Sequence, residues 1–433
     1  MKSRTLKSIA AITVFAVLAI SLQLTAQEQQ PASTSQIHYS VINLGTLGGS
    51  ASNGFGGVNN RGWVTGDANL AGDQNEHAFL WRQGVTTDLG TLGGSNSGVA
   101  IPVKDDKGLI VGGAQTATVD PLGEFWGAAA FCTAVNCQGW QNLELGFLWQ
   151  NGVMTALPTL GGNNGEAFGV NNRGQVVGMT ETATHDPSCI PPQVLDFKAV
   201  IWGPKAGQIQ ELPVIPGDSI GAALAINDKG QVVGTSGICF VPISFAGAAH
   251  AVLWQNGSVI DLGGFGGVMN NSGLAINNAG QVVGISDLPG DTTTHAFFWQ
   301  NGVMTELGTL PEDVFSMAND INSKGQVVGV SCDVNFNCRA FLWENGVMTD
   351  LNTLIPPDSP LYLTFGGGIN DRGEIAGSAF DQNTGDAPAF LAIPVAESPV
   401  VPLSGNSIPK VTLPENIRKL LQHRMRFGRS GAR

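Results

Sequence analysis

Cysteines, clustered carboxylates and a knot of aromatics are the residues of this 433-residue chain whose types and spacing point to chemistry. The six cysteines fall into three pairs: Cys132 with Cys137, Cys332 with Cys338, and Cys189 with Cys239. Two pairs bracket single loops, and the third occupies corresponding loops of adjacent sequence repeats. Three disulfides in an oxidising compartment are expected. Zinc is the alternative, but no C-x-x-C pair or nearby His completes a tetrahedral set. Oxygen-rich loops hold Asp67, Asn69, Asp73 and Glu76, then Asp287 and Asp291, then Asp381 and Asp386. Such loops suit calcium. None has EF-hand spacing, however, and ordinary turn chemistry accounts for Asp and Asn equally well. No cofactor is therefore expected, with calcium the open alternative at Asp67, Asn69, Asp73 and Glu76.

The aromatics sit in a long insertion, residues 114–144, as Phe125, Trp126, Phe131 and Trp140. Exposed, Phe125, Trp126 and Trp140 would stack on sugars or anchor a protein. Buried, the same residues would form a satellite core around Cys132 and Cys137. For catalysis the candidates are few. Glu166 and Asp320 alone bring charge to segments otherwise made of Gly, Ala, Val and Leu. Glycosidic cleavage needs two carboxylates facing one another across a bond, and neither residue has a partner evident in sequence. There is no G-x-S-x-G, H-E-x-x-H or phosphate-cradling loop. No catalytic residue is assigned.

The elements that must position these residues are repeats. Residues 274–310 read L-A-I-N-N-A-G-Q-V-V-G, a short loop, then T-H-A-F-F-W-Q-N-G-V-M-T-E-L-G-T-L. Short stretches rich in Val, Ile, Phe and Trp, punctuated by Gly and Asn, predict strands and no helix. Four are expected: one ending at Ile276, then 281–283, 296–299 and 303–307. Asn277 and Gly280 bracket the first hairpin, and Asn301-Gly302 suits a two-residue type I′ turn. The third strand is apolar at successive positions, so both its faces should be covered.

The N-x-x-G turn recurs at Asn59, Asn171, Asn227, Asn277, Asn322 and Asn370, with a degenerate form at 103–108. The third strand also recurs seven times, ending in Trp in all but the last copy. Seven units follow. The last stops after its third strand, and the first is preceded by an orphan fourth strand, residues 39–47. That pairing of surplus and deficit predicts an all-β, seven-bladed β-propeller of four-stranded antiparallel blades, closed by the N-terminal strand. An open solenoid would need capping units at both ends.

These motifs resemble the HAF-repeat family of extracellular proteins, named for the His-Ala-Phe heading the third strand. The resemblance covers residues 39–391. His stands at that position as His77, His250 and His295, whereas Leu145, Lys198, Arg339 and Pro388 replace it elsewhere. Several blades separate His77 from the other two, so they cannot share one metal ion. They read as polar caps on strand entrances. The resemblance implies a secreted repeat protein and brings no catalytic residue.

Residues 1–26 carry Lys2, Arg4 and Lys7, an apolar run, then Thr25-Ala26, the pattern of a secretory signal peptide. An uncleaved anchor is the alternative, for which the run is short. Residues 27–36 read as a polar linker, 37–395 as the propeller, and 396–433 as a Pro-containing linker and basic tail. Residues 27–400 hold 11 Lys and Arg against 33 Asp and Glu. So acidic a ring argues against nucleic acid as partner. The tail, with a short helix expected at 414–427, reads as solvated, with docking on the acidic ring or on an anionic surface as alternatives. Variable loops cluster on the face that carries the second-to-third-strand connections, where function on a rigid scaffold usually lives. The expectation is a secreted (extracellular or periplasmic) monomer without a membrane span, binding a protein or glycan through that face. Its alternatives are a carbohydrate-active lyase or hydrolase and a structural envelope protein.

Overall fold

The computed structural model describes residues 37–102, 105–126, 141–239, 248–395 and 410–424. One blade shows how the local sequence becomes structure. In the fifth, the strands are Asn271–Ile276, Val282–Asp287, Thr294–Gln300 and Val303–Gly308. Gly280 donates its N–H to the Asn277 carbonyl at 3.0 Å. Asn301 and Gly302 take φ of 51° and 85°, the two left-handed positions of a type I′ turn. Gly284 lies where a Cβ would come within 2.0 Å of the Ser272 carbonyl oxygen and 3.0 Å of the Phe297 ring, so any side chain would force first and third strands apart. The second strand runs on to Asp287, beyond the expected Val283, because Ser286 and Asp287 pair with His295 and Thr294 and are buried. Read alone, those polar residues look like loop.

Seven such four-stranded sheets follow one another, each with its strands in sequence order except the last. There His38–Asn43 lies outermost, antiparallel to Ala389–Val395, with His38 opposite Val395 and Asn43 opposite Phe390. The chain is a seven-bladed propeller closed by its N-terminal strand. Leu44 adds a backbone bond to the Ala389 carbonyl at 2.9 Å, and Tyr39 is fully buried in the closing blade. Third-strand Phe79, Phe147, Phe297, Phe341 and Phe390 are each at most 1 % exposed, so both faces of the blades are covered.

The histidines do cap strand entrances. His77, His250 and His295 each place Nδ1 within 2.6–3.0 Å of the acid eleven residues on, Asp88, Asp261 or Glu306. Arg339 makes the same reach to Asp350.

Cys189–Cys239 and Cys332–Cys338 are disulfides. Cys132 and Cys137 lie outside the described residues. The first bridge ties loops of blades three and four across a separation of 50 residues, and the second closes only 6. In the chain-entropy account, opening them costs about 4 and about 2 kcal/mol respectively. Denaturant titrations of the Cys189→Ala/Cys239→Ala and Cys332→Ala/Cys338→Ala double variants should show that order.

Candidate functional site

The central channel has two mouths of different construction. At the N-x-x-G end, the Oδ1 atoms of Asn59, Asn171, Asn227, Asn277, Asn322 and Asn370 accept backbone N–H groups two and four residues on. Each Nδ2 donates to the backbone carbonyl at the equivalent position of the next blade, at 2.9–3.0 Å. The Asn370 bond to Asn59 joins the last blade to the first, while Asp105, which takes the Asn place in blade two, has no amide with which to continue the series. Turn chemistry explained the Oδ1 bonds from sequence. The Nδ2 bonds exist because a ring brings equivalent residues side by side. The funnel here is about 100 Å³, and its polar atoms are largely spent on one another.

At the opposite mouth, the one with the second-to-third-strand loops, lies the tail. Here the expectation of a solvated segment is corrected: residues 410–424 dock on the ring. Helix α1, Glu415–Arg424, is shorter at its start than the expected 414–427, and 425–427 lie outside the described residues. Lys410 bridges Asp313 at 2.6 Å and Asp333 at 3.2 Å. Leu413 donates its N–H to Asn337 Oδ1 at 2.9 Å. Leu413, Ile417 and Leu421 are buried in one cluster with Phe55, Met317, Phe365 and Phe380. The physical reason is amphipathicity: an apolar stripe at spacing four finds the apolar channel mouth, and flanking cations meet acidic loops. A net charge count does not display that stripe.

At the end of α1, Arg424 lies over the channel. Its guanidinium is 5.8 Å from the centre of the Phe55 ring, and Nη1 donates to the Ser52 carbonyl at 3.4 Å. Beneath it is a cavity of about 40 Å³ lined by Phe55, Phe365, Leu274, Ile285 and Met317, among others. Beside it, Asp67 and Glu76 project from the second and third strands of blade one, both buried. Burial pushes the Asp67 carboxyl up to about 7 against the opposing pull of Arg424. Glu76 is raised well above the usual carboxylate range by burial and then by Asp67. Two further acidic pairs continue from here into blades two and three. Glu144 and Glu166 press against Gly113, and burial followed by Glu144 raises Glu166. Glu124 and Glu181 share Gln193 Nε2, at 3.1 and 2.9 Å. Burial and then Glu124 push Glu181 up to about 8. Glu124 itself accepts the N–H groups of Val194 and Leu195 at 2.8 and 2.7 Å, pinning the blade-three loop to the blade-two insertion.

These positions revise the candidate list. Trp126 is 3 % exposed, edge-on to Phe197 at 5.6 Å, with Nε1 donating to Gln193 at 3.1 Å. It belongs to the same core cluster as Phe55, Met317 and the tail's Leu413, and offers no face to a ligand. Phe125 is half-buried beside it, and Trp140 lies outside the described residues. Glu166 does have a carboxylate neighbour, Glu144, which the sequence alone hides because it sits on another blade. Both are buried between blades, where no polysaccharide reaches. Asp320 accepts the Ile321 and Ile369 N–H groups at 2.8 and 2.7 Å and so pins blade seven to blade six. Of the calcium candidates, Asp73 is engaged by Asn69 and the Ser50 N–H. Asp67 and Glu76 face a cation already on the chain, Arg424. The one set of three metal-type ligand atoms among the described residues is Asp186, Cys189 and Cys239, and those two sulfurs are bonded to each other.

No protein-family model matches the chain, and no curated protein sequence matches it. Solved structures do. A gluconolactonase from Xanthomonas campestris aligns at 12 % identity over 58 % of this chain and 79 % of its own, with a TM-score of 0.32. A puromycin hydrolase aligns at 11 % identity over 79 % of this chain, TM-score 0.43; the chain spans 51 % of that protein's length. The intramolecular trans-sialidase of Ruminococcus gnavus aligns at 8 % identity over 82 % of this chain and 96 % of its own, TM-score 0.33. None of these likenesses bears on what the chain binds or does.

Proposed function

We propose that this is an exported binding propeller of the HAF-repeat kind, taking a protein or peptide ligand at the face that carries the second-to-third-strand loops. One observation carries the reading: that mouth of the channel is an apolar well walled by buried carboxylates, and it holds an amphipathic helix. Peptide is favoured over glycan because Trp126, one of the aromatics that could have stacked on a sugar, is spent in a core. Two disulfides support an oxidising compartment. Among the described residues, no helix is long and apolar enough to cross a membrane.

The test is a peptide-display selection run beside a glycan array, with hydrogen exchange to locate the ligand. Selected peptides are expected to protect the loops around 313–316 and 333–337 and to leave the N-x-x-G turns unchanged. Binding confined to glycans, or protection confined to the Asn series, counts against the reading.

A further inference from the structure

The well is built for a cation, and the chain's own cation satisfies it incompletely. Arg424 is 3 % exposed, yet its Nε and Nη2 meet no acceptor, while buried Asp67 Oδ1 and Glu76 Oε1 meet no donor. The three side chains interact electrostatically without pairing atom to atom. Buried charged groups left in that state are costly. The apolar half of the contact is well made by contrast, with Leu413, Ile417 and Leu421 each at most 4 % exposed.

We propose that this well is a recognition site for a basic amphipathic helix of another protein, and that residues 410–424 occupy it as a displaceable ligand in cis. The proposal rests on the reading of this face as the binding surface and adds the ligand's chemistry. The tail supplies the pattern: Leu413 just ahead of α1, Ile417 and Leu421 one turn apart on it, and the Arg424 guanidinium three residues further on the same side. A competitor whose guanidinium reaches Asp67 and Glu76 gains the pairing that Arg424 forgoes. Such charge-assisted bonds are the strong ones. Tethering gives the tail an effective concentration in the millimolar range, so the untethered well must be far more receptive than the intact chain.

The experiment places a protease site within 400–405 of the full chain. A fluorescein-labelled peptide of residues 410–424 is then titrated by anisotropy before and after cleavage. The uncut chain is expected to bind the peptide roughly 100-fold more weakly than the cut and washed ring. A peptide carrying Arg424→Ala is expected to bind the cut ring roughly 10-fold more weakly than the native peptide. A second arm needs no cleavage: the full chain carrying Arg424→Ala should take up the native peptide roughly 10-fold more tightly than the unaltered chain does. Equal binding of the two peptides overturns the proposal, as does a cut ring that keeps its melting profile and binds neither. Display-selected peptides that hold this face without competing with the labelled tail sink the proposal and leave the binding-face reading intact. Selected helices that do compete uphold both. A selection returning no ligand for this face sinks the binding-face reading and the proposal with it.

Discussion

Deleting residues 38–44 is expected to abolish cooperative unfolding of the ring and drive association through the exposed edge of residues 389–395. That strand would then offer a row of unpaired backbone groups, the usual template for aggregation. A finer version separates the backbone bonds from the side chains. Leu44 bonds the Ala389 carbonyl, and hydrogen-bonded pairs alternate along an antiparallel ladder, so the Ile42 N–H points at Leu391 and the Val41 N–H points outward. Ile42 is 38 % exposed, so its side chain contributes little. Ile42→Pro should cost about 3 kcal/mol, with Val41→Pro costing about 1 kcal/mol or less, because edge strands tolerate proline where the N–H faces solvent. Denaturant titration reads both. Equal losses would mean that closure does not depend on this ladder.

Stability should rise as pH falls from 8.5 to about 5, contrary to the usual behaviour of a chain rich in carboxylates. Asp67 and Glu181 stand at about 7 and about 8 in the folded chain, against ordinary values of 3.8 and 4.5. Burial is the leading cause for both; Arg424 and the Gln193 and Asn164 donors oppose it, and Glu124 adds to it for Glu181. A raised carboxyl keeps its proton in the folded state and loses it in the unfolded one. Its stabilising contribution is complete below the unfolded value and disappears as pH climbs through the folded value. Each group contributes a few kcal/mol across that window, on the order of 5 °C or more in Tm for the pair. Asp73, Asp88, Asp228 and Asp333 are lowered and work the other way, but only as pH drops below the ordinary value of 3.8. Glu181→Gln should therefore raise Tm at pH 8.5, leave it nearly unchanged at pH 5, and flatten the profile. A profile that rises toward alkaline pH would remove the physical basis assigned to the buried acids.

Sequence was most informative where the physics is local. The N-x-x-G and N-G turns and the buried third-strand Phe each follow from backbone conformation or strand packing within a single blade, so counting copies was enough to reach seven. Even ring closure was legible, because residues 39–44 match a strand that the last unit lacks. The candidate site was legible only in part. Phe125, Trp126 and Trp140 could be read in sequence either as exposed rings or as part of a buried core, and the structure decides for Trp126, which finds Phe197 and Gln193 on the next blade and is buried. Glu166 acquires Glu144 as a neighbour, and Asp320 spends both oxygens on backbone N–H groups, one of them forty-nine residues away.

The order and number of the blades, the strand that joins the ends and the loops that carry disulfides were determined by the chain's own pattern, since each depends on contacts a few residues long or on copies of one motif. The tail's place over the channel, the series of asparagine amides and the grouping of Asp67 and Glu76 around Arg424 were decided only in three dimensions. Curvature of the ring brings together side chains from different blades and from both ends of the chain, and no spacing along the sequence encodes which of them will meet.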